Sequence, residues 1–265
     1  MSLQTENRYG ICRLAAVPCR AMPADTSEMV SQLLFGHHFL VAEQHENWVR
    51  VKTQPDSYEG WVDQKQVLFL SEGDYSELNQ KPPVFVASTD GVLTRVDHAV
   101  QRPIPKGSIL PHFQHDKLKI GDEVWHFEGI ACKPCQHASS AQLIADARDY
   151  LFAPYLWGGR SPWGIDCSGF TQMVYLMNGI PIPRDASQQA LKGEAVSPND
   201  AQPGDLAFFT KKDKERVTHV GMLIDPDHII HASGEVRIDQ LDSMGIVHST
   251  SKQHTHQLHS IRRFL

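Results

Sequence analysis

The residue that could carry covalent chemistry is Cys167, and its surroundings are written to present it. The stretch from Tyr155 to Asn178 reads YLWGGRSPWGIDCSGFTQMVYLMN. A loop rich in glycine and proline (Gly158, Gly159, Pro162, Gly164) precedes the cysteine, and Phe170, Met173, Val174 and Met177 follow it at helical spacing. Asp166 is a good N-cap residue, and Gly179 with Pro181 supplies the stop, so the spacing predicts a helix that begins at the thiol. A thiol in a first helical turn sees unpaired N–H groups and the positive end of the macrodipole. Both favour the thiolate, the nucleophilic form. The alternative use of such a residue is a small buried cysteine packed under a helix.

A cysteine nucleophile needs a base, and the base needs an orienting partner. The runs THVGMLI and HIIHAS, separated by Asp225-Pro226-Asp227, predict a hairpin. Paired in that way, His219 and His231 share one face. His219 then serves as base to Cys167, and His231 fixes its tautomer and direction through the other ring nitrogen.

These groups must be positioned by a chain of 265 residues, long enough for two or three domains. Composition is that of a globular protein, 41% hydrophobic and 21% charged, and the net charge of −6 argues against non-specific nucleic-acid binding. There is no membrane-spanning apolar run, and the N-terminus MSLQTENRYGIC lacks the charged and then apolar regions of a secretory signal. Five cysteines leave at least one thiol unpaired, which fits a reducing compartment or a catalytic thiol in an oxidising one. The Cys132-Lys-Pro-Cys135 pair has no second pair nearby and reads as structural.

Residues 8 to about 70 look all-β, with strands short and close enough to suggest a small barrel; Val49 and Val51 alternate with Trp48, Arg50 and Lys52, and Gly60 marks a bend. The polar stretch 72–82, running into Pro82-Pro83, reads as a linker. A second β-rich segment, from Val84 to about Lys133, reads as another small barrel. Residues 138–152 predict a helix with Leu143, Ile144, Ala147 and Leu151 on one face. After the Cys167 helix, Asp185-Ala-Ser187 predicts a cap for a short helix. Strands then follow, closed by the tail HTHQLHSIRRFL, which makes the last domain α+β. The expected domains are 1–75, 76–137 and 138–265.

The order SEMVSQLLFGHHF, a tryptophan strand, then YEGWV resembles a bacterial SH3-like domain of the kind attached to cell-wall enzymes. The last domain resembles the NlpC-type family of cell-wall cysteine peptidases. The resemblance is carried by Tyr155-Leu-Trp-Gly-Gly, Gly164-Ile-Asp-Cys-Ser-Gly-Phe, Gln202-Pro-Gly-Asp-Leu, His219-Val-Gly-Met and Ile230-His-Ala, in the family's order. It implies a papain-like core with Cys167 as nucleophile, His219 as base, His231 as the third member and Tyr155 lining the cleft. It also makes the Cys167 N–H an oxyanion donor beside the helix start. The fold class expected is therefore multidomain, with two SH3-like β-barrels before an α+β papain-like peptidase domain.

The whole layout resembles the family's peptidoglycan-recycling subgroup, the γ-D-glutamyl-L-diamino acid endopeptidases of dipeptidyl-peptidase VI type. There the first SH3-like domain walls the cleft and restricts substrate to peptides with a free N-terminal L-alanine. On this chain the resemblance implies Glu28, Tyr58 and Asp185 around the ammonium, since a buried ammonium without polar partners is costly. Ser168 and Arg184 take the γ-D-glutamyl α-carboxylate beside Asp166, a guanidinium being able to hold a carboxylate bidentately. One departure is Ala186 after Asp185, where the subgroup's pattern has serine; Ser187 comes one place later, and no hydroxyl contact is assigned there.

A thiolate–imidazole mechanism uses neither cofactor nor metal, and strand alternation splits His248, His254, His256 and His259 between faces. The partners implied are peptidoglycan-derived peptides, with no nucleic acid and no membrane insertion. Recycling fits the cytoplasm, and scavenging of wall peptides fits the periplasm if a signal was removed. Two other readings are a murein hydrolase acting on intact wall and a wall-peptide binding module whose last domain is idle. The intact Cys167, His219 and His231 argue against the idle module.

Overall fold

A computed structural model of the chain describes residues 8–98, 100–135, 137–211 and 215–265. The first seven residues of the N-terminal stretch MSLQTENRYGIC therefore lie outside the described residues. Two compact units emerge: Met1–Pro134 with Trp157–Pro162, and Cys135–Leu156 with Trp163–Leu265.

In the first unit, strands β1 (Tyr9–Cys12), β2 (Ala16–Arg20), β3 (Met29–Leu34), β4 (His38–His45), β5 (Trp48–Thr53), β6 (Glu59–Asp63) and β7 (Val67–Leu70) form one sheet in the order β3-β2-β6-β5-β4-β1-β7. The alternation expected in β5 is present: Val49 and Val51 are buried and Trp48, Arg50 and Lys52 are half-buried. With Val17, Leu33, Phe39 and Val62 they make the first core cluster, each such side chain contributing about 1.5–3 kcal/mol by leaving water. Gly60 does not bend the chain. It lies inside β6, where a Cβ would run into Cys19 Sγ, so the glycine serves a close approach between strands.

The expected linker is helix α1 (Glu72–Gln80). Ser71 caps it, its hydroxyl accepting from Asp74 N–H at 3.1 Å, and Tyr75 turns inward to stack on Tyr9 at 4.6 Å between ring centroids. A serine followed three residues later by an acid is a helix start, and the polar composition of the stretch concealed it.

The next segment holds β8 (Phe85–Val86), β9 (Gly91–Arg95), β10 (Gln101–Ile104), β11 (Lys117–Ile120), β12 (Glu123–Glu128) and β13 (Ala131–Cys132). Four of these form a sheet in the order β10-β9-β12-β11, and β8 pairs with β13. Its buried residues, among them Leu93, Ile104, Trp125 and Phe127, join Ile11, Phe35 and Leu70 in one cluster, so the two β segments share a core. The segment Trp157–Pro162, with β14 (Arg160–Ser161), belongs to this unit as well. Gly158 is held at φ +79, and a Cβ there would meet the carbonyl of Met29.

The second unit opens with α2 (Ser140–Arg148), capped by Ser139 and burying Leu143 and Ala147. It is shorter than expected, because Asp149 ends it and residues 149–152 turn. After β15 (Gly164–Ile165) comes α3 (Cys167–Met177), the predicted helix. Asp166 caps its start by accepting from Gly169 N–H at 2.7 Å. Gly179, at φ +82, closes its end: Gly179 N–H reaches Leu176 O and Ile180 N–H reaches Tyr175 O, a Schellman pair. All residues of α3 except Leu176 are buried. The chain continues through α4 (Ala186–Gln189), β16 (Glu194–Val196), β17 (Leu206–Thr210), β18 (Val217–Asp225), β19 (His228–Ser233), β20 (Glu235–Leu241), β21 (Gly245–Val247) and β22 (His254–Arg263).

The sheet order is β16-β22-β17-β18-β19-β20-β21, and β21 pairs back onto β22, closing six strands into a ring. Ala207, Phe209, Leu223, Ile229, Ile246 and Ile261 fill its core. Helix α3 lies against β18 and β19, which brings the cysteine helix to the histidine hairpin. Among the described residues no helix is long and apolar enough to cross a membrane. The five cysteines, all described, form no disulfide bond.

Candidate active site

Cys167 is the first residue of α3 and is buried, 6% exposed. Its thiol is hydrogen-bonded by the backbone of Val220, the residue after His219, and by that of Ser168. The helix start was expected to lower its pKa. The structure reverses that direction. Burial is the largest influence and pushes the thiol up to about 12, with the Asp166 carboxylate adding to it; the two backbone bonds and Arg184 oppose the rise without overcoming it. In the substrate-free protein Cys167 therefore rests as a thiol and needs a base.

His219, the expected base, stands on the predicted hairpin. Gly221 of β18 pairs opposite His231 of β19, which sets His219 diagonally across from His231 on the same face. His219 Nε2 and His231 Nδ1 are 2.8 Å apart. Gly221 makes this fit possible, since a Cβ there would come within 2.8 Å of His231 Cβ and 2.7 Å of Ile229 Cδ1. The two rings are 5% and 1% exposed at residue level. Burial, then the neighbouring His231 and His256, holds His219 well below the usual histidine range, so its ring rests neutral with one nitrogen lone pair available.

Two members of this cluster escaped the sequence reading. Asp239 of β20, 2% exposed, faces His231 Nε2 at 3.1 Å. His256 of β22 stacks on His219 at 4.2 Å between centroids and 25° between planes. The available signals were an aspartate inside the strand pattern EVRIDQL and a histidine in the alternating tail. Neither could be used without knowing the strand register and the ring closure. Burial leads the influences that push His256 down to about 4.

Beneath the helix start, Arg184 is fully enclosed. Its Nη2 donates to Asp166 Oδ2 at 2.6 Å, and its Nη1 donates to Asp166 Oδ1 and Ser168 Oγ, each at 3.0 Å. The bidentate carboxylate partner of this guanidinium is thus a residue of the protein, and the pair fixes the residue just before the cysteine. Arg184→Met is expected to lower unfolding free energy by about 3–5 kcal/mol, because it strands the Asp166 charge. Chemical denaturation of both proteins measures the difference, and a loss below about 1 kcal/mol would contradict it.

Tyr155 is half-buried beside the thiol; burial, then the nearby Cys167 and Asp166, pushes its phenol up. Asp185 stands at the N-cap of α4, where its backbone carbonyl accepts from Gln188 and Gln189 while its side chain makes no capping bond. The expected side-chain cap is therefore not formed. Glu28 and Tyr58 lie in the first unit. Glu28 is exposed and accepts from the Trp157 indole at 2.7 Å. Tyr58 is half-buried at the turn before β6, its N–H donating to Asp56 at 3.2 Å. Among the described residues, no group of three or more His, Cys, Asp or Glu side chains is placed to hold a metal ion.

A thiol at a helix N-terminus, packed on an antiparallel sheet that supplies two linked imidazoles, is the arrangement of a cysteine peptidase. Comparison with known proteins agrees. The NlpC/P60 family model matches residues 153–257, and that of the bacterial dipeptidyl-peptidase Sh3 domain matches residues 19–67. Dipeptidyl-peptidase 6 of Lysinibacillus sphaericus is 30% identical over 245 residues, which cover 84% of this chain and 88% of that protein. A gamma-D-glutamyl-L-lysine dipeptidyl-peptidase of Bacillus cereus is 29% identical over 250 residues, covering 84% and 74%. The crystal structure of an NlpC/P60 family protein from Bacillus cereus shares the fold, with a TM-score of 0.82 at 22% identity over 97% of this chain and 99% of that one. The chain belongs to the NlpC/P60 family of peptidases, with an SH3-type domain ahead of the peptidase domain.

Proposed function

We propose that this chain is a cysteine endopeptidase that hydrolyses the γ-D-glutamyl–L-diamino acid bond of peptidoglycan peptides carrying a free N-terminal L-alanine, and that it acts in recycling such peptides in the cytoplasm. The observation that carries the chemistry is the buried Cys167 thiol, bonded to the backbone next to His219, whose ring is in turn linked to His231. The gamma-D-glutamyl-L-lysine named in relatives that align over most of the chain supports the bond class.

In this reading Cys167 Sγ attacks the γ-carbonyl of D-glutamate as His219 takes the thiol proton. The Cys167 N–H stabilises the oxyanion, and His219 then protonates the departing amine of the diamino acid. Water, deprotonated by His219, hydrolyses the thioester and releases L-Ala-γ-D-Glu. His231 holds the His219 ring in direction, and Tyr155 lines the substrate path. Ser168 and Arg184 are the candidates for the γ-D-glutamyl α-carboxylate, with Asp166 fixing the guanidinium. Glu28, Tyr58 and Asp185 are assigned to the ammonium. We also read the second β segment as a second SH3-like barrel, which keeps the domain limits near 75 and 137.

The test of the specificity is a matched pair of substrates, L-Ala-γ-D-Glu-meso-diaminopimelate free and N-acylated by a muramyl group, with products read by mass spectrometry. The free peptide is expected to be cleaved and the acylated one spared. Cleavage of both would sink the roles of Glu28, Tyr58 and Asp185 and favour a murein hydrolase acting on intact wall.

A further inference from the structure

We propose that Asp239 is a positioning residue for catalysis, which through His231 dictates which nitrogen of His219 is free to take the Cys167 proton. The inference rests on the cysteine peptidase reading and extends it by one residue, carried on a strand outside the histidine hairpin.

Donor and acceptor counting along the cluster leads to it. Asp239 Oδ1 accepts from Ser249 N–H at 2.7 Å and from Arg237 Nη2 at 3.2 Å. Its Oδ2 faces His231 Nε2 at 3.1 Å and Arg237 Nε at 3.0 Å. Burial by itself would raise this carboxyl, but the bonds from His231 and Ser249 outweigh it and hold the group well below the usual carboxylate range. An ionised carboxylate only accepts hydrogen bonds. His231 Nε2 must therefore carry the hydrogen. A neutral imidazole has one N–H, so His231 Nδ1 presents a lone pair.

That lone pair lies 2.8 Å from His219 Nε2, and two lone pairs cannot face each other at that distance. His219 Nε2 must then be the protonated nitrogen, which leaves Nδ1 as the basic one. A doubly protonated His231 would reverse the sequence, but its ring is 1% exposed, and burial, helped by Arg237 and His248, outweighs the opposing pull of Asp239 and disfavours a second proton. The order Asp239, His231, His219 thus acts as a one-way setting of tautomers. His256 stacks on the face of the His219 ring, away from the Nε2 bond to His231 that lies in the ring plane.

Asp239→Asn changes the setting with little change in shape. The Ser249 N–H and Arg237 Nη2 keep the amide oxygen at the Oδ1 position, which turns the NH2 toward His231 at the Oδ2 position; Arg237 Nε lies 3.0 Å from that position but makes no hydrogen bond to it. His231 then accepts at Nε2, carries its hydrogen on Nδ1 and donates to His219 Nε2. The His219 hydrogen moves to Nδ1, and its basic nitrogen is lost to the thiol.

The experiment is nitrogen-15 NMR of the full chain labelled at histidine, with the resonances assigned by His219→Gln and His231→Gln. In the wild-type protein both His219 and His231 are expected as Nε2–H tautomers; an Nδ1–H tautomer at His219 overturns the proposal, whether or not the Asn variant folds. In Asp239→Asn both rings are expected to switch to Nδ1–H. The kcat should fall by about 10²–10⁴-fold while KM changes less than about threefold. A folded Asn variant with unchanged tautomers, or with unchanged kcat, overturns it as well. The tautomers are read without substrate, so the two ideas fail separately. A protein that shows them and cleaves no peptide would sink the peptidase reading alone.

Discussion

Cys167→Ala is expected to remove peptide cleavage, lowering turnover by at least about 10⁴-fold, the scale on which a covalent nucleophile acts. The substitution removes one sulfur from the first turn of α3 and leaves the Asp166 cap, the Arg184 pair and the rest of the helix core in place. Thermal unfolding is therefore expected to stay close to that of the parent protein. Loss of activity with retained folding assigns the chemistry to the sulfur. Cys167→Ser keeps a hydroxyl in the same place but is expected to rescue nothing, because an alcohol in this buried position ionises far less readily than the thiol. Appreciable turnover in either folded variant would contradict the mechanism.

The second large effect is at His219. Because burial holds the Cys167 thiol up at about 12, it keeps its proton throughout the neutral range. Without a base the thiolate fraction at pH 7 would be about 10⁻⁵. His219→Ala is accordingly expected to lower kcat/KM at pH 7 by about 10³–10⁵-fold. The direction of its pH dependence follows from the raised thiol pKa: below that value the thiol stays neutral, so the residual rate should rise about tenfold per pH unit from 7 toward 10. If His219 removes the proton as proposed, the wild-type protein should lack that steep rise. A His219→Ala variant with a flat profile, or with near-normal activity at pH 7, would mean that another group ionises Cys167.

Much of this site could be read before the fold was known, because local chemistry writes it. Asp166 before Cys167, the apolar spacing after it and Gly179 at the end specify α3 within a single stretch, and two strands around Asp225-Pro226-Asp227 specify the hairpin. Residues from distant strands left no such local trace. Asp239 and His256 join the cluster through the register of β20 on β19 and the return of β22, decisions made by pairing across the closed ring. The direction of the Cys167 pKa is hidden from the sequence for the same reason. The helix terminus is visible in sequence, whereas the burial that outweighs it comes from packing α3 on β18 and β19. Helix α1 is not legible in composition: its buried residue, Tyr75, packs on Tyr9 and His38, which lie far from it in sequence.

The bond and the nucleophile are tested together by digesting L-Ala-γ-D-Glu-meso-diaminopimelate with the wild-type protein and with Cys167→Ala and identifying every product by mass spectrometry. The expected result is L-Ala-γ-D-Glu and free diaminopimelate from the wild type, with intact peptide from the variant. Release of free alanine, an uncut peptide with the wild type, or the same products from the variant would contradict the assignment of Cys167 to the γ-D-glutamyl–diamino acid bond.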